Sequence, residues 1–178
     1  MSLQELINLG IPTELIIIIL SAMPISELRG AIPVAINILH FPWYYAFLVA
    51  LIGNLLPVPF ILLLLTPVSR ALSRVKVFER IFSKLFEHAG QRGKVIEKYE
   101  RIGLTLFVAV PLPITGAWTG SIVAVLFRLK FAHALVSILI GIIISGAIVT
   151  ALSLLGWIGA AIAGMGLSAL AIFSLWKS

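Results

Sequence analysis

The sequence predicts an all-α polytopic membrane protein, and three observations carry that prediction. Hydrophobic residues make up 61% of the 178 and charged residues only 11%, with a mean hydropathy of +1.15. This is more apolar side chain than a water-soluble domain of that length buries, so lipid has to be part of the solvent. The apolar residues also fall into runs of membrane-crossing length. Two of those runs are broken from within by proline and glycine, around residues 24–33 and 111–121. The predicted architecture is one membrane domain with two opposed re-entrant helical hairpins forming an inverted repeat, about three transmembrane helices and a cytoplasmic amphipathic helix.

The first run, 15–40, holds Pro24, Glu27, Arg29, Gly30 and Pro33, which no ordinary spanning helix carries together. The second, 44–66, is long enough to cross a hydrocarbon core of roughly 30 Å. Asn54, Pro57 and Pro59 are expected to kink it, and Trp43, Tyr44 and Tyr45 mark its interfacial end. Residues 69–101 change character, setting nine Lys and Arg against Glu79, Glu87, Glu97 and Glu100. Such a loop is retained in the cytoplasm. Within it Phe78, Ile81, Phe82, Leu85 and Ala89 recur at helical spacing, the pattern of an amphipathic helix lying on a surface. The third run, 103–127, is interrupted by Pro111, Pro113, Gly116 and Gly120. Runs 132–155 and 158–176 then read as spanning helices joined at Gly156-Trp157, and their Gly and Ser residues permit close helix packing or a homodimer.

Charge sets the topology. The basic loop precedes run 103–127 and Arg128 and Lys130 follow it, so both of its ends favour the cytoplasm and it must dip in and return. Run 15–40 has no Lys or Arg near either end, as expected of a hairpin entering from outside. The N-terminus is then external and the C-terminus cytoplasmic, in the cytoplasmic membrane. No Lys or Arg precedes Leu15, so the N-terminal run does not read as a cleavable signal. The two hairpins also resemble each other: A-M-P-I-S-E-L-R-G-A at 22–31 and P-L-P-I-T-G-A-W-T-G-S at 111–121 share Pro-Ile-Ser/Thr followed by Gly and a small residue. Opposed broken hairpins meeting near the midplane are a common plan for secondary transporters.

Glu27 and Arg29 are the strongest chemical signal. Each charge at the centre of a membrane helix costs about 2.5 to 3.5 kcal/mol on the insertion scale, so a retained pair needs partners. An unwound tip would carry both, with a half-helix beginning near Gly30 and tolerating Pro33 in its first turn. Arg29, with Ser26, Gly30 and that helix terminus, would hold an anionic group, since a guanidinium offers bidentate donors. A carboxylate in low dielectric beside a cation can take and release a proton, the role open to Glu27. The other reading of the pair is a buried ion pair that ties the hairpins together. The second hairpin offers Thr115, Trp118, Thr119 and Ser121, which either line a polar cavity or cap freed backbone groups. Asn54 and Asn37 are candidates to support unwound backbone.

Other classes find little in the sequence. The formal charge of +6 is concentrated in one loop, which speaks for membrane orientation rather than nucleic acid. There is no cysteine, and His40, His88 and His133 have no metal-ligand spacing, so no cofactor or metal is expected. Gly120-Ser121 with His133 lacks the nucleophile-elbow pattern, and no enzyme is predicted.

The segment P-I-S-E-L-R-G-A-I-P-V-A, followed by P-L-P-I-T-G-A-W-T-G-S, resembles the small multidrug export family of bacterial and archaeal membrane proteins, over most of the chain. That resemblance implies export of small molecules. More distantly the plan is similar to the DedA and VTT superfamily, which implies two facing re-entrant hairpins, proton coupling, and movement of polyprenyl-phosphate or phospholipid carriers. The acidic residue of that superfamily's first hairpin would correspond to Glu27. Its second hairpin typically carries arginines where this chain has V-A-V-P-L-P-I-T-G-A-W-T-G, which leaves Arg29 as the only deep cation. The expected partners are membrane lipids and a small-molecule or lipid substrate. A non-transporting scaffold is the remaining alternative.

Overall fold

The computed structural model describes residues 10–72, 93–112 and 115–156, with isolated positions at 5, 158, 159, 161, 164 and 165. Pro113, most of the predicted helix 158–176 and the greater part of the basic segment 69–101 lie outside the described residues. All regular structure among the described residues is helical.

α1 (Thr13–Ala22) follows Pro12 and ends where Pro24 holds Met23 extended, at φ −72° and ψ 141°. After a tight turn the chain re-enters helix at α2 (Glu27–Pro33). This start lies three residues before the expected one near Gly30. The reason is local: Glu27 N–H bonds the Met23 carbonyl at 3.0 Å and Gly30 N–H bonds that of Ser26 at 2.9 Å, so four turn residues suffice. Pro33 therefore sits inside the helix, where its missing N–H interrupts the ladder. A wider, π-type turn over Val34–Ile38 follows, closed by Leu39 N–H on the Val34 carbonyl at 3.0 Å.

α3 (Trp43–Leu55) and α4 (Pro57–Leu72) are interrupted only at Leu56, in front of Pro57. Together they supply the 23-residue apolar span Trp43–Leu65, and α7 (Phe131–Leu154) supplies a second of 24 residues. Both are long and apolar enough to cross a membrane. α5 (Gly93–Ala109) joins the end of the basic segment to the third apolar run as one continuous helix, and α6 (Ala117–Leu126) returns after the break.

The packing is that of a protein whose outside is apolar. On α7 the buried face combines Ile138, Ile142 and Val149 with Ala134, Ser137, Gly141, Ser145, Gly146, Thr150 and Ser153, while Val136, Ile140, Ile144 and Ile148 face outward. On the other span Leu48, Ile52, Leu56, Phe60 and Leu63 form the outer stripe. Small and hydroxylic residues lie inside because helices in lipid associate by close backbone approach and interhelical hydrogen bonds. Thr105 on α5, for example, donates to the Ser137 carbonyl on α7 at 3.2 Å.

The helix contacts follow a regular plan. The first arm of each hairpin packs on the spanning helix that follows it, α1 on α3 and α5 on α7. The second arm packs on the span that follows the other hairpin, α2 on α7 and α6 on α4. A glycine permits each first-arm contact: a Cβ on Gly53 would lie 2.6 Å from the Ile18 carbonyl, and one on Gly141 would lie 2.9 Å from that of Thr105. Both connections into the spanning helices are built alike. His40 and Arg128 are left-handed at φ 55° and 54°, and Pro42 and Lys130 are extended at ψ 139° and 138° just before the first helical residue.

Candidate functional site

The two hairpin breaks meet, and each supplies what the other lacks. A break frees amides at the start of one helix and carbonyls at the end of another, and these groups are expensive to leave unpaired away from water. Glu27 is 6% exposed and left-handed at φ 47°, a conformation a glutamate holds only where its surroundings enforce it. Its carboxylate lies at the start of α6 and accepts N–H bonds from Ala117 and, at 3.3 Å, from Trp118. An anion at this end of a helix also meets the positive end of the helix dipole. Gly116 makes the approach possible, because a Cβ there would collide with both carboxylate oxygens.

Arg29 does the converse at the other side of the same break. One guanidinium nitrogen donates to the Leu112 carbonyl, and the second lies 3.4 Å from that of Val110 and 3.5 Å from Thr115 Oγ1. The cation thus meets carbonyls of the break that follows the C-terminal end of α5. Its Nε is buried without a partner among the described residues. Glu27 and Arg29, two residues apart on a helix, point to different partners rather than to each other. Neither the extended tip nor a direct ion pair is what the geometry holds; a carboxylate and a guanidinium bracket the break of the second hairpin.

The exchange runs in both directions. Trp118 Nε1 donates to the Ala22 carbonyl at the end of α1, at 3.0 Å. Ser26 Oγ turns back onto the Leu20 carbonyl, so it serves its own hairpin. Thr115 Oγ1 lies 2.8 Å from the Val110 carbonyl and 3.0 Å from that of Leu112, and Thr119 Oγ1 accepts the Gly116 N–H at 2.8 Å. That last bond is half of a capping box, with a third-residue side chain reaching back to the N-cap.

Ser121 is buried and donates to the Ala117 carbonyl one turn back at 2.6 Å, within its own helix. Gly120 lets the arms of the second hairpin close on Val108. Gly30 brings its turn of α2 against Ser26. Asn37 is exposed in the wide turn, also away from the breaks. Asn54 is 1% exposed beside Gly53 and its Oδ1 has no partner among the described residues. Pro24 and Pro111 stand at the start of the two breaks. Sequence reasoning missed the backbone partners: the amides of Ala117 and Trp118 and the carbonyls of Ala22, Val110 and Leu112. The Gly-x-x-Thr spacing at Gly116 and Thr119 was the one available sign of a helix start there.

The side of this junction is open among the described residues. Met23 is 45% exposed, Ile25 92% and Val110 44%. Large exposed apolar side chains thus stand beside a polar junction.

No curated protein and no solved structure matches the chain. The family described as "Putative small multi-drug export protein" matches residues 27–148, a stretch that begins on Glu27, takes in both capped helix ends of the second hairpin and closes in the second span. With more than half of its residues matched, and with two helices of membrane-crossing character, the chain belongs to that family of membrane proteins.

Proposed function

We propose that this protein is a proton-coupled secondary transporter that moves a small amphipathic or anionic substrate across the cytoplasmic membrane, through the junction of the two hairpin breaks. The observation that carries the reading is the exchange of caps: Glu27 on the amides of α6, Arg29 on the Val110 and Leu112 carbonyls just past α5, and Trp118 on the carbonyl of α1. Such contacts can be made and broken as a set. Protonation of Glu27 removes the charge that holds the Ala117 and Trp118 amides, and an anionic group can take its place between those amides and Arg29. The unpartnered Nε of Arg29 is a spare donor for it. No enzymatic step and no cofactor belongs to this reading.

Opposed re-entrant hairpins in an inverted repeat are part of the proposal, and three features support them. The two units share their packing plan and their left-handed connections. Gly53 and Gly141 mark the same level in each unit, close to the breaks. Phe47 lies six residues before Gly53, about 9 Å along the helix, and Gly146 five residues after Gly141, about 7 Å. A Cβ on Gly146 would touch Phe47 at 2.7 Å. Because the breaks meet, that contact supports spanning helices that run in opposite directions, as hairpins entering from opposite sides would have. The absence of native cysteine makes the test direct: single cysteines at Thr13 and His40 should label with a membrane-impermeant maleimide from one side of the membrane, and one at Arg128 only from the other. Labelling of all three from one side would defeat the inverted arrangement.

The transport reading is tested in proteoliposomes with an imposed pH gradient, comparing wild type with Glu27→Gln and Arg29→Ala over anionic and amphipathic solutes. Wild type should show gradient-driven uptake. Glu27→Gln should abolish the response to the gradient while the protein remains folded, and Arg29→Ala should lower uptake at least about tenfold, the effect of losing a charge-assisted fork. If no solute moves under any gradient, the reading fails. A second reading, a flippase for polyprenyl-phosphate or phospholipid as in the DedA and VTT plan, is favoured by the exposure of Ile25, Met23 and Val110 beside the junction. A fluorescent-lipid reduction assay in the same vesicles separates the two.

A further inference from the structure

Away from the junction, the arms of the second hairpin enclose a cavity of about 390 Å³. Leu104 and Phe107 on α5, Val123 and Phe127 on α6, and Leu129 in the connection to α7 line it. Glu100 stands at its edge with an interaction of its own. The cavity is half open, and the residues flanking its lining on both arms, Ile102, Leu106, Ile122 and Leu126, are exposed and apolar. A groove of this make, on an outer surface solvated by lipid, meets hydrocarbon chains before it meets anything else.

The rim supplies the second half of the argument. Arg128 lies between the lining residues Phe127 and Leu129, with an exposed side chain that has no partner among the described residues. Arg101 follows Glu100 and Lys130 follows Leu129 in the chain, and both have interactions of their own, which leaves Arg128 as the candidate cation. Arg128 also holds a left-handed backbone at φ 54°, a place where glycine or asparagine is at ease and arginine is not. An arginine at this position, next to the mouth of an apolar groove, suits a phosphate carried on an acyl chain.

We infer that the groove between α5 and α6 binds an anionic phospholipid, with one acyl chain between Phe107, Val123 and Phe127 and the headgroup phosphate on Arg128. The inference uses the membrane character of the fold and is independent of the transport reading, so either can fail alone.

The test is native mass spectrometry of the full-length protein released from detergent, with phosphatidylglycerol and phosphatidylcholine of identical chains, and with inorganic phosphate in place of lipid. Wild type should retain phosphatidylglycerol about fivefold more than phosphatidylcholine, the effect of one basic residue beside an anionic headgroup. Arg128→Asn suits the left-handed backbone and should bring the two lipids to parity, while Arg128→Lys should keep most of the preference. Gly103→Leu fills the groove from a position where an added Cβ meets nothing within 4 Å, and it should reduce retention of both lipids. The inference is overturned by equal retention in wild type, by a preference that survives Arg128→Asn, or by retention that Gly103→Leu leaves unchanged in a folded protein. Phosphate binding as strong as lipid binding overturns it too, as does a shift of Gly103→Leu from dimer to monomer without lipid loss, which would assign the groove to a second copy.

Discussion

The two hairpin breaks solve one problem by opposite means. The first is a four-residue turn, Met23 to Ser26, that nearly satisfies itself: Met23 N–H returns to the Ile19 carbonyl at 3.1 Å, and Ser26 Oγ to that of Leu20. The second, from Val110 to Gly116, is longer and uncharged in sequence, and among its described residues Thr115 and Thr119 supply the hydroxyl contacts to Val110 and Gly116. It borrows Glu27 and Arg29 from the first. The first hairpin is thus a source of side-chain charge, and the second a source of oriented amides and carbonyls. On the proposed reading, a site built from one of each has a part that can take a proton and a part that cannot, and the proton response belongs to the first hairpin.

That comparison is most directly broken at Glu27. Glu27→Ala leaves the Ala117 and Trp118 amides without their acceptor, and should destabilise the purified protein by about 3 kcal/mol. Hydrogen exchange at those two amides should rise sharply. Unchanged exchange there would mean that the first hairpin does not cap the second. Gly116→Ala attacks the same contact from the other side, since the new Cβ occupies the place of the carboxylate. A loss of about 2 kcal/mol is expected, and the double variant should lose little more than Glu27→Ala alone, because the two changes remove one interaction. Full additivity in thermal unfolding would separate Gly116 from Glu27. The smallest effect should be that of Ser26→Ala, about 1 kcal/mol, the worth of one side-chain bond. Its exchange signature should stay within α1 and the first turn; a rise at Ala117 and Trp118 would erase the distinction between a self-satisfied break and a borrowing one.

Much of this was legible in the chain because it depends on residue type alone. Pro24 and Pro111 locate the breaks, and apolar length marks the two spans. The singling out of Glu27 and Arg29 rests on the cost of charge in lipid, which needs no coordinates. The start of α2 was less legible. A proline in the first turn of a helix is the common arrangement, whereas here Pro33 is accommodated inside the helix by the wide turn that follows it. Ser121 was indistinguishable in sequence from Thr119, although one bonds its own helix and the other the N-cap. Helical phase and the exact point where a helix begins decide between such roles, and neither is written in composition.

By itself, then, the sequence determined the solvent, the helical class, the positions of the breaks and the identity of the two deep charges. What only the tertiary structure decided is where those charges go. Glu27 meets Trp118 and Arg29 meets Leu112, across 91 and 83 residues of chain. The partners are backbone groups, which every residue carries and no side chain announces. They become special because Pro and Gly interrupt their helices, and because the close approaches at Gly53, Gly116 and Gly141 bring two breaks to one place.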